Sequence, residues 1–258
     1  EMPFEGEHLL PGQLGHFFII LSLVSSLIAS LSYFIYFKNP SDRSWLSMGR
    51  MAFGIQFISL LFVFGILYYI CSHHYFEYMY AYKHASLELE PKYLLACIWE
   101  GQEGSFLLWS LWNGLLGIVF MIRDKEREPG VLAVFSLFQL FLCLMILGIY
   151  FFGIRIGNSP FTFTRDEIAA PIFSRPDYLN FLKDGVGLNV LLRNYWMVIH
   201  PPVLFLGFAS TLIPFGMAWT ALIKKSYSAW VKPAIPWALF STAVLGVGIM
   251  MGGKWAYE

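Results

Sequence analysis

The sequence predicts an all-α, multi-pass membrane protein with about six transmembrane helices. Apolar residues make up 57% of the 258 residues and charged residues only 13%, whereas a soluble domain carries about 25% charged residues. Mean hydropathy is +0.60. A chain with so few charges cannot cover a water-facing surface. Because the formal net charge is zero, nothing indicates a nucleic-acid partner.

Besides its composition and hydropathy, the sequence shows a series of apolar segments that contain no Asp, Glu, Lys or Arg. A helix needs about 20 predominantly apolar residues to cross a bilayer, and six segments meet this requirement. In chain order they are Leu14–Phe37, Met51–Cys71, Gly104–Ile122, Val131–Gly153, Pro202–Ile223 and Ala234–Gly253. We therefore expect a single transmembrane helical domain over residues 1–258.

The positions of lysine and arginine predict which side of the membrane each connection occupies, because short cytoplasmic connections are enriched in these residues. The connections after the first, third and fifth spans are short and basic. They contain Lys38, Arg43 and Arg50, then Arg123, Lys125 and Arg127, and then Lys224, Lys225 and Lys232. The pattern places these connections in the cytoplasm and both ends of the chain outside.

The remaining connections, residues 72–103 and 154–201, are long and lie outside in this topology. Loops of such length are uncommon without a function, so we expect the chemistry on the outer face. The second one carries several basic residues, which runs against the charge rule. Within it, Val186–Ile199 mixes apolar and aromatic residues with Asn and Arg, and this mixture predicts a helix lying on the membrane surface.

The three cysteines do not form a C-x-x-C or C-x-x-C-H motif, so the chain does not carry the attachment motif of a c-type cytochrome. Cys143 falls in the middle of a span. Cys71 and Cys97 both lie on the outer side in the predicted topology. A disulfide between those two is an open alternative, since the sequence alone supplies no distance.

The stretch WMVIHPPVLFLG, Trp196 to Gly207, places a histidine and two prolines where the fifth span begins. A residue before proline disfavours helix, whereas proline is tolerated in a first turn. The pattern predicts that Pro201 and Pro202 start the span and that His200 caps it. An imidazole held there suits an axial ligand to iron. The simpler alternative is an interfacial histidine bonded to a headgroup or a carbonyl.

The stretch WEGQEGSFLLWSLW begins at Trp99, at the outer mouth of the third span. Gly101 and Gly104 permit unusual backbone conformations and close approach. Ser105 is the predicted helix cap, with Glu103 near the positive end of the helix dipole. This capping role explains the motif structurally. The functional alternative is that the glycines admit a large flat ligand or a partner loop.

Four stretches together resemble the CcmF branch of the cytochrome c-type biogenesis proteins, the haem lyases of the haem-handling superfamily. WEGQEGSFLLW is similar to the family's W-G-x-H-E-G-S-x-L-L-W, and NSPF from Asn158 is similar to N-P-F. GLNVLLRNYWMVIHPPVLFLGF from Gly187 is similar to D-L-N-P-L-L-Q-D-x-x-L-x-x-H-P-P-L-L-Y-x-G-Y. GVGIMMGGKWAYE from Gly246 is similar to G-I-x-L-G-x-x-W-A-Y-x-E. Gln102 replaces a family histidine and Ser159 a proline, which indicates a divergent branch.

The resemblance implies that His200 is one of two outer histidines that ligate haem for thioether attachment to apocytochrome c. The family's tryptophan-rich segment and second ligand are not in this sequence. We therefore expect the amino-terminal portion of a longer lyase, or one subunit of a divided one. The implied partners are apocytochrome c, a haem chaperone, thiol-reducing proteins, the remaining carboxyl-terminal part and membrane lipid. The implied location is the bacterial inner membrane, with the active site at its periplasmic face.

Three further residues near the outer boundary are candidates for contact with haem. Trp196 and Trp255 are placed to wall a flat macrocycle. Arg193 is expected to pair with a propionate, because guanidinium suits carboxylate. A lyase orients the cofactor and controls its iron, so we expect no general base or nucleophile from these residues.

Two other classes remain as alternatives, a transporter or channel and a structural scaffold of a maturation complex. Ion and proton pathways usually need a charged residue within a span, and the predicted spans contain none. Haem in the purified protein discriminates among these classes, because only the lyase is expected to show a bis-histidine absorption spectrum.

Overall fold

The chain folds into helices that run back and forth, as seen in a computed structural model that describes residues 4–257. Six helical segments of this described part are long and apolar enough to cross a membrane. They are Leu9–Lys38, Arg43–Ser72, Gln102–Arg123, Glu128–Leu147, Tyr195–Ile223 and Val231–Trp255. The protein is therefore an all-α, multi-pass membrane protein, as predicted. In chain order the helices are α1 (Leu9–Lys38), α2 (Arg43–Ser72), α3 (Met79–His84), α4 (Pro91–Glu100), α5 (Gln102–Arg123), α6 (Glu128–Leu147), α7 (Thr164–Glu167), α8 (Tyr195–Ser210), α9 (Leu212–Ile223) and α10 (Val231–Trp255).

The long helices extend beyond most of the predicted apolar segments. α2 begins at Arg43 because the side chain of Asp42 accepts a hydrogen bond from the Ser44 N–H at 2.9 Å, which is a typical N-cap. The apolar segment of this span was predicted to start only at Met51. Hydropathy marks the part of a helix that can lie in hydrocarbon, whereas capping decides where the helix starts.

The fourth span ends earlier than predicted. α6 stops at Leu147, and Gly148 follows with a φ of 67° that only glycine adopts readily. Strands β1 (Ile149–Phe151) and β2 (Ile154–Ile156) then pair as an antiparallel hairpin. The predicted extension of the span to Gly153 is wrong because this apolar run is rich in β-branched and aromatic residues bounded by glycines, a pattern that favours a hairpin.

The fifth span also differs from its prediction. The expected surface helix over Val186–Ile199 is not formed: Val190–Leu192 is a single 3₁₀ turn, and α8 already begins at Tyr195. The span is interrupted between α8 and α9 at Thr211. The Thr211 hydroxyl donates to the Phe208 carbonyl at 2.7 Å, and Pro214 lacks the N–H that would continue the helical ladder.

Small residues let the spanning helices approach closely. α1 packs against α2 and α6, and α10 packs mainly against α8. A Cβ on Gly248 of α10 would lie 3.0 Å from the Leu204 Cα, and one on Gly207 of α8 would lie 2.8 Å from Leu245 side-chain atoms. Small residues of this kind are what membrane helices use for close contact. The α8–α10 pair is therefore packed backbone to backbone.

The two long connections fold together at one end of the bundle. We call residues 73–101 and 148–194 the cap. Its two segments pair through a β-bridge between Tyr78 and Phe163, and the Val186 N–H donates to the Tyr82 carbonyl at 2.7 Å. The amino-terminal segment joins them, because Arg165 binds Glu7 at 2.7 Å. The cap is thus an ordered layer that supports the helix ends beneath it.

Cysteine pairing was left open by the sequence. In the part of the chain that the structure describes, Cys71 and Cys97 are both free thiols, and both are buried. The Cys97 thiol donates to the His84 carbonyl at 2.7 Å. Burial raises the pKa of the Cys97 thiol. The structure therefore has no disulfide between these two residues, and Cys97 is held as an unreactive thiol.

Candidate functional site

His200 lies within α8 and does not cap it. The helix begins at Tyr195, and its N-cap is Asn194, whose side chain accepts a hydrogen bond from the Trp196 N–H at 3.1 Å. The prediction that Pro201 and Pro202 start the span is therefore wrong, since both lie inside the helix. The preference against helix before a proline is statistical, and a contact from outside the helix overrides it here.

That contact comes from Trp99. Pro201 has no N–H, so the carbonyl of Met197, one helical turn earlier, loses its usual partner. The indole Nε1–H of Trp99 donates to the Met197 oxygen at 2.9 Å, and the bond is buried. An unsatisfied backbone carbonyl is costly at the membrane boundary. Trp99 thus supplies the donor that allows α8 to continue through the proline pair.

The His200 ring has one nitrogen occupied. Its Nδ1 lies 2.9 Å from the carbonyl oxygen of Gly248 on α10. A carbonyl oxygen can only accept, so Nδ1 carries the proton and Nε2 of the neutral ring keeps its lone pair. Metal-binding histidines usually have this arrangement, with the second ring nitrogen bonded to a backbone carbonyl or a carboxylate. The chemistry of His200 therefore fits a metal ligand.

Two residues near the end of α10 confine the same ring. A Cβ added to Gly252 would lie 2.9 Å from the His200 Cε1 and 3.3 Å from Nε2. The Trp255 ring meets the imidazole edge to face, with centroids 5.9 Å apart and an interplanar angle of 63°. His200 is thereby packed between a bare backbone and an indole, and it stays half-buried.

A cleft of about 500 Å³ opens beside this packing. Arg193 and Trp255 line it as candidate haem contacts, and Arg193 is oriented by a hydrogen bond from its Nε to the Leu188 carbonyl at 3.2 Å. His200 lies directly behind Gly252, which lines the cleft, and His200 is not itself one of the lining residues. The described residues that line it are Val190, Leu191, Leu192, Arg193, Asn194, Gly252, Trp255 and Ala256.

Trp196, like His200, is a predicted site residue that does not line the cleft. It occupies the first turn of α8, and its ring meets that of Tyr195 edge to face, with centroids 5.9 Å apart. The cleft lining contains Trp255 but not Trp196.

The motif that begins at Trp99 forms the tight junction between α4 and α5. Gly101 caps α5, so the prediction that Ser105 is the cap is wrong. The Ser105 hydroxyl instead donates to the Trp99 carbonyl at 2.9 Å. Glu103 does lie in the first turn of α5, as expected for an acidic residue near the helix dipole.

Protein atoms occupy the space beside both motif glycines. A Cβ on Gly104 would lie 1.5 Å from the Ile98 carbonyl oxygen, and one on Gly101 would lie 2.6 Å from the Tyr80 ring. The Tyr80 hydroxyl donates to the Ile98 carbonyl at 2.7 Å and accepts the Gly101 N–H at 3.2 Å. These glycines therefore let the chain turn back on itself, which is the structural reading of the motif.

Sequence reasoning missed Gly248, Gly252 and Met197, which act through backbone atoms or through the lack of a side chain. The available signal was the spacing of Gly248 and Gly252, which repeats along one face of α10. The role of the Met197 carbonyl had no local signal, since its partner Trp99 lies in another element.

Comparison with known proteins shows that this chain is similar to cytochrome c assembly and biogenesis proteins. The family model described as "Cytochrome C assembly protein" matches residues 99–258. The chain is 30% identical to the cytochrome c-type biogenesis protein CcmF of Pseudomonas aeruginosa over 250 residues, which cover 95% of this chain and 35% of that protein. For the Escherichia coli protein named as probable cytochrome c-type biogenesis protein NrfE, identity is 29% over 221 residues, covering 83% of this chain and 36% of that protein.

A solved structure, titled "Cytochrome c Heme Lyase CcmF", has the same fold. It superposes with a TM-score of 0.73 at 24% identity, covering 96% of this chain and 36% of that one. The chain thus spans about one third of the length of the relatives it matches. Because the family model matches more than half of the 258 residues, this chain belongs to the cytochrome c assembly protein family.

Proposed function

We propose that this chain is the haem-presenting part of a cytochrome c haem lyase, in which His200 is an axial ligand to the haem iron. The single observation that carries the proposal is the hydrogen bond between the His200 Nδ1 and the Gly248 carbonyl. In the neutral ring this bond leaves the lone pair of Nε2 available to a metal, and the ring lies behind Gly252, which lines the cleft. The family membership and the names of the matched relatives point to cytochrome c maturation.

The residues around the cleft suit a flat, largely apolar and anionic ligand. The Trp255 indole offers an apolar wall, and the Arg193 guanidinium offers a partner for a propionate carboxylate. We assign no haem contact to Trp196, which lies outside the cleft lining. Bound haem supplies the vinyl groups to which the thiols of apocytochrome c add. The role of this chain is to bind the iron, orient the ring and present its edge.

The proposal assigns the second iron ligand to a further part of the lyase and the other steps to partner proteins. The chain spans about one third of the length of its relatives, so a second iron ligand is assigned to a further carboxyl-terminal part of the lyase. Apocytochrome c, a haem chaperone and thiol-reducing proteins are the proposed partners. The proposed location is the bacterial inner membrane, with the cap at its periplasmic face.

The test is replacement of His200 in the intact lyase within membranes. We expect His200→Ala to remove the bis-histidine haem spectrum and to stop covalent cytochrome c assembly, while the protein still inserts into the membrane. His73→Ala is the matched control, since His73 is an exposed cap histidine and its loss should leave both readouts unchanged. Normal haem content and normal assembly in His200→Ala would refute the ligand role.

A further inference from the structure

Trp99 is fixed at both its backbone and its side chain. Its carbonyl accepts the Ser105 hydroxyl at 2.9 Å, and its indole N–H donates to the Met197 carbonyl at 2.9 Å. The residue is buried in the core that joins the cap to the helices. The Trp99 side chain thus links the α4–α5 junction to the turn of α8 that carries His200.

The hydrogen bond of Trp99 is a specific feature and does not simply follow from burial. Across residues 4–257, the indole nitrogens of Trp109 and Trp112 are also buried, yet neither has a hydrogen-bond partner. A buried indole in this protein thus does not automatically acquire an acceptor. Trp99 donates to the one carbonyl that lacks its helical N–H donor because of Pro201, so the contact satisfies a specific backbone acceptor.

We propose that Trp99 is a positioning residue for His200. Met197 and His200 lie in the same turn of α8, so a fixed Met197 carbonyl fixes the height at which His200 meets Gly248 on α10. Without the indole donor, the Met197 oxygen must find water or another donor, and the turn tilts. The His200 Nδ1 then loses its bond to Gly248, and the orientation of the ring, with that of Nε2, is no longer fixed. This inference rests on the proposed function of His200 as an iron ligand.

The direct test replaces the indole with a ring that has no N–H donor. In the intact lyase, we expect Trp99→Phe to lower haem affinity roughly ten-fold, the effect of one buried acceptor left unsatisfied. The bis-histidine absorption bands should weaken in Trp99→Phe, whereas His200→Ala is expected to lose them altogether. Trp109→Phe is the matched control, because it removes a buried indole N–H that has no partner among the described residues.

A second substitution separates positioning from packing. Pro201→Ala returns a backbone N–H to α8, and this N–H can bond the Met197 carbonyl in place of the indole. We therefore expect Trp99→Phe to cost little haem affinity in the Pro201→Ala background, although it costs about ten-fold in the native one. A role of Trp99 in packing alone predicts the same loss in both backgrounds.

The outcomes are distinguishable from a failure of the proposed function. If His200→Ala retains haem, the ligand assignment fails and the positioning role with it. If His200→Ala loses haem while Trp99→Phe keeps the native affinity and spectrum, only the positioning role is overturned. Equal losses in the two backgrounds, or failure of Trp99→Phe to accumulate in either, would assign Trp99 a packing role and also overturn the proposal.

Discussion

The imidazole of His200 is held chiefly by backbone atoms of two glycines in α10. The Gly248 carbonyl orients Nδ1, and the bare backbone of Gly252 leaves room for the ring beside it. The proline pair after His200 determines the shape of the helix, but it does not hold the ring. This arrangement makes the ring sensitive to added atoms on α10.

We predict that Gly252→Ala displaces the His200 ring. The new Cβ would lie 2.9 Å from the His200 Cε1, closer than a carbon–carbon contact allows. The ring must rotate away from Gly248 and lose its hydrogen bond, so haem content measured by absorption should fall well below that of the native lyase.

The neighbouring glycine provides the control for this prediction. A Cβ on Gly253 meets no described atom within 4 Å, so Gly253→Ala should leave haem content unchanged. The two variants differ by one position in the same helix and have the same change in helix propensity. Equal haem content in both would show that Gly252 does not confine the ring.

The buried cysteines lead to a prediction about chemical reactivity. Cys97 donates its S–H to the His84 carbonyl, and burial raises the pKa of its thiol. The thiolate is the reactive species, so iodoacetamide at pH 8 should not modify Cys97 in the folded membrane protein. Cys71 is buried too and should be equally protected.

Denaturation provides the counterpart measurement. In detergent that unfolds the protein, without any reductant, both Cys71 and Cys97 should be alkylated, as mass spectrometry of the peptides would show. Alkylation that requires prior reduction would instead demonstrate a disulfide, which the free thiols of the structure exclude.

At the scale of elements, hydropathy predicted that the spanning helices exist but not where they end. The hydrocarbon length requirement detects apolar residues, whereas helix ends depend on caps and on tertiary contacts. Asp42 extends α2 beyond its apolar segment by a local cap that a sequence can reveal. α8 extends through Pro201 because of Trp99, and no local pattern contains that information.

The candidate site was only partly predictable for the same reason. His200, Arg193 and Trp255 carry side chains whose chemistry can be read from sequence, and the structure gathers Arg193 and Trp255 around one cleft next to His200. Trp196 does not line the cleft, and its ring packs edge to face on Tyr195, a contact that no local pattern indicates.

An ion pair between a buried carboxylate and a partly exposed arginine joins three spanning helices at the end away from the cap. Glu128, the first residue of α6, is fully buried and accepts two hydrogen bonds from Arg50 of α2, at 2.7 and 2.6 Å. The hydroxyl of Tyr33 on α1 donates to the same carboxylate at 3.3 Å. A carboxylate buried in this way depends on its cationic partner.

We predict that Arg50→Ala destabilises the protein, because it leaves the Glu128 carboxylate buried without its partner. Removing one member of a fully buried pair costs about 3–5 kcal/mol. Because the Arg50 side chain is 40% exposed, we expect a smaller loss of about 1–3 kcal/mol and a lower melting temperature in detergent. Arg43→Ala removes an exposed arginine from the same helix and should have little effect. Equal melting temperatures for the two variants would show that the pair contributes nothing to stability.

At the scale of the whole molecule, the cap and the candidate site lie at the same end of the bundle. The cap, the amino-terminal segment around His8 and the end of α10 meet there: His8 bonds Glu77 at 2.8 Å, and Trp255 contacts His200. The three long polar side chains in the middle of the spans face inward. Gln56, Asn113 and Gln139 are each 1% exposed, so the surface around the bundle remains apolar, as lipid requires.

The last prediction concerns how this asymmetric molecule is oriented in the membrane. Basic residues lie at the end of the bundle opposite the cap, from Lys38 at the end of α1 to Lys232 in the first turn of α10. Because basic residues favour the cytoplasmic side, we predict that the cap and both described ends lie outside the cytoplasm.

Glu88 is exposed in the cap and Ser41 in the first short connection, so Glu88→Cys and Ser41→Cys introduce accessible thiols at opposite ends. A membrane-impermeant maleimide should label Glu88→Cys in spheroplasts and Ser41→Cys only after lysis. The reverse pattern would place the cap in the cytoplasm, where the proposed His200 site would not meet a periplasmic apocytochrome.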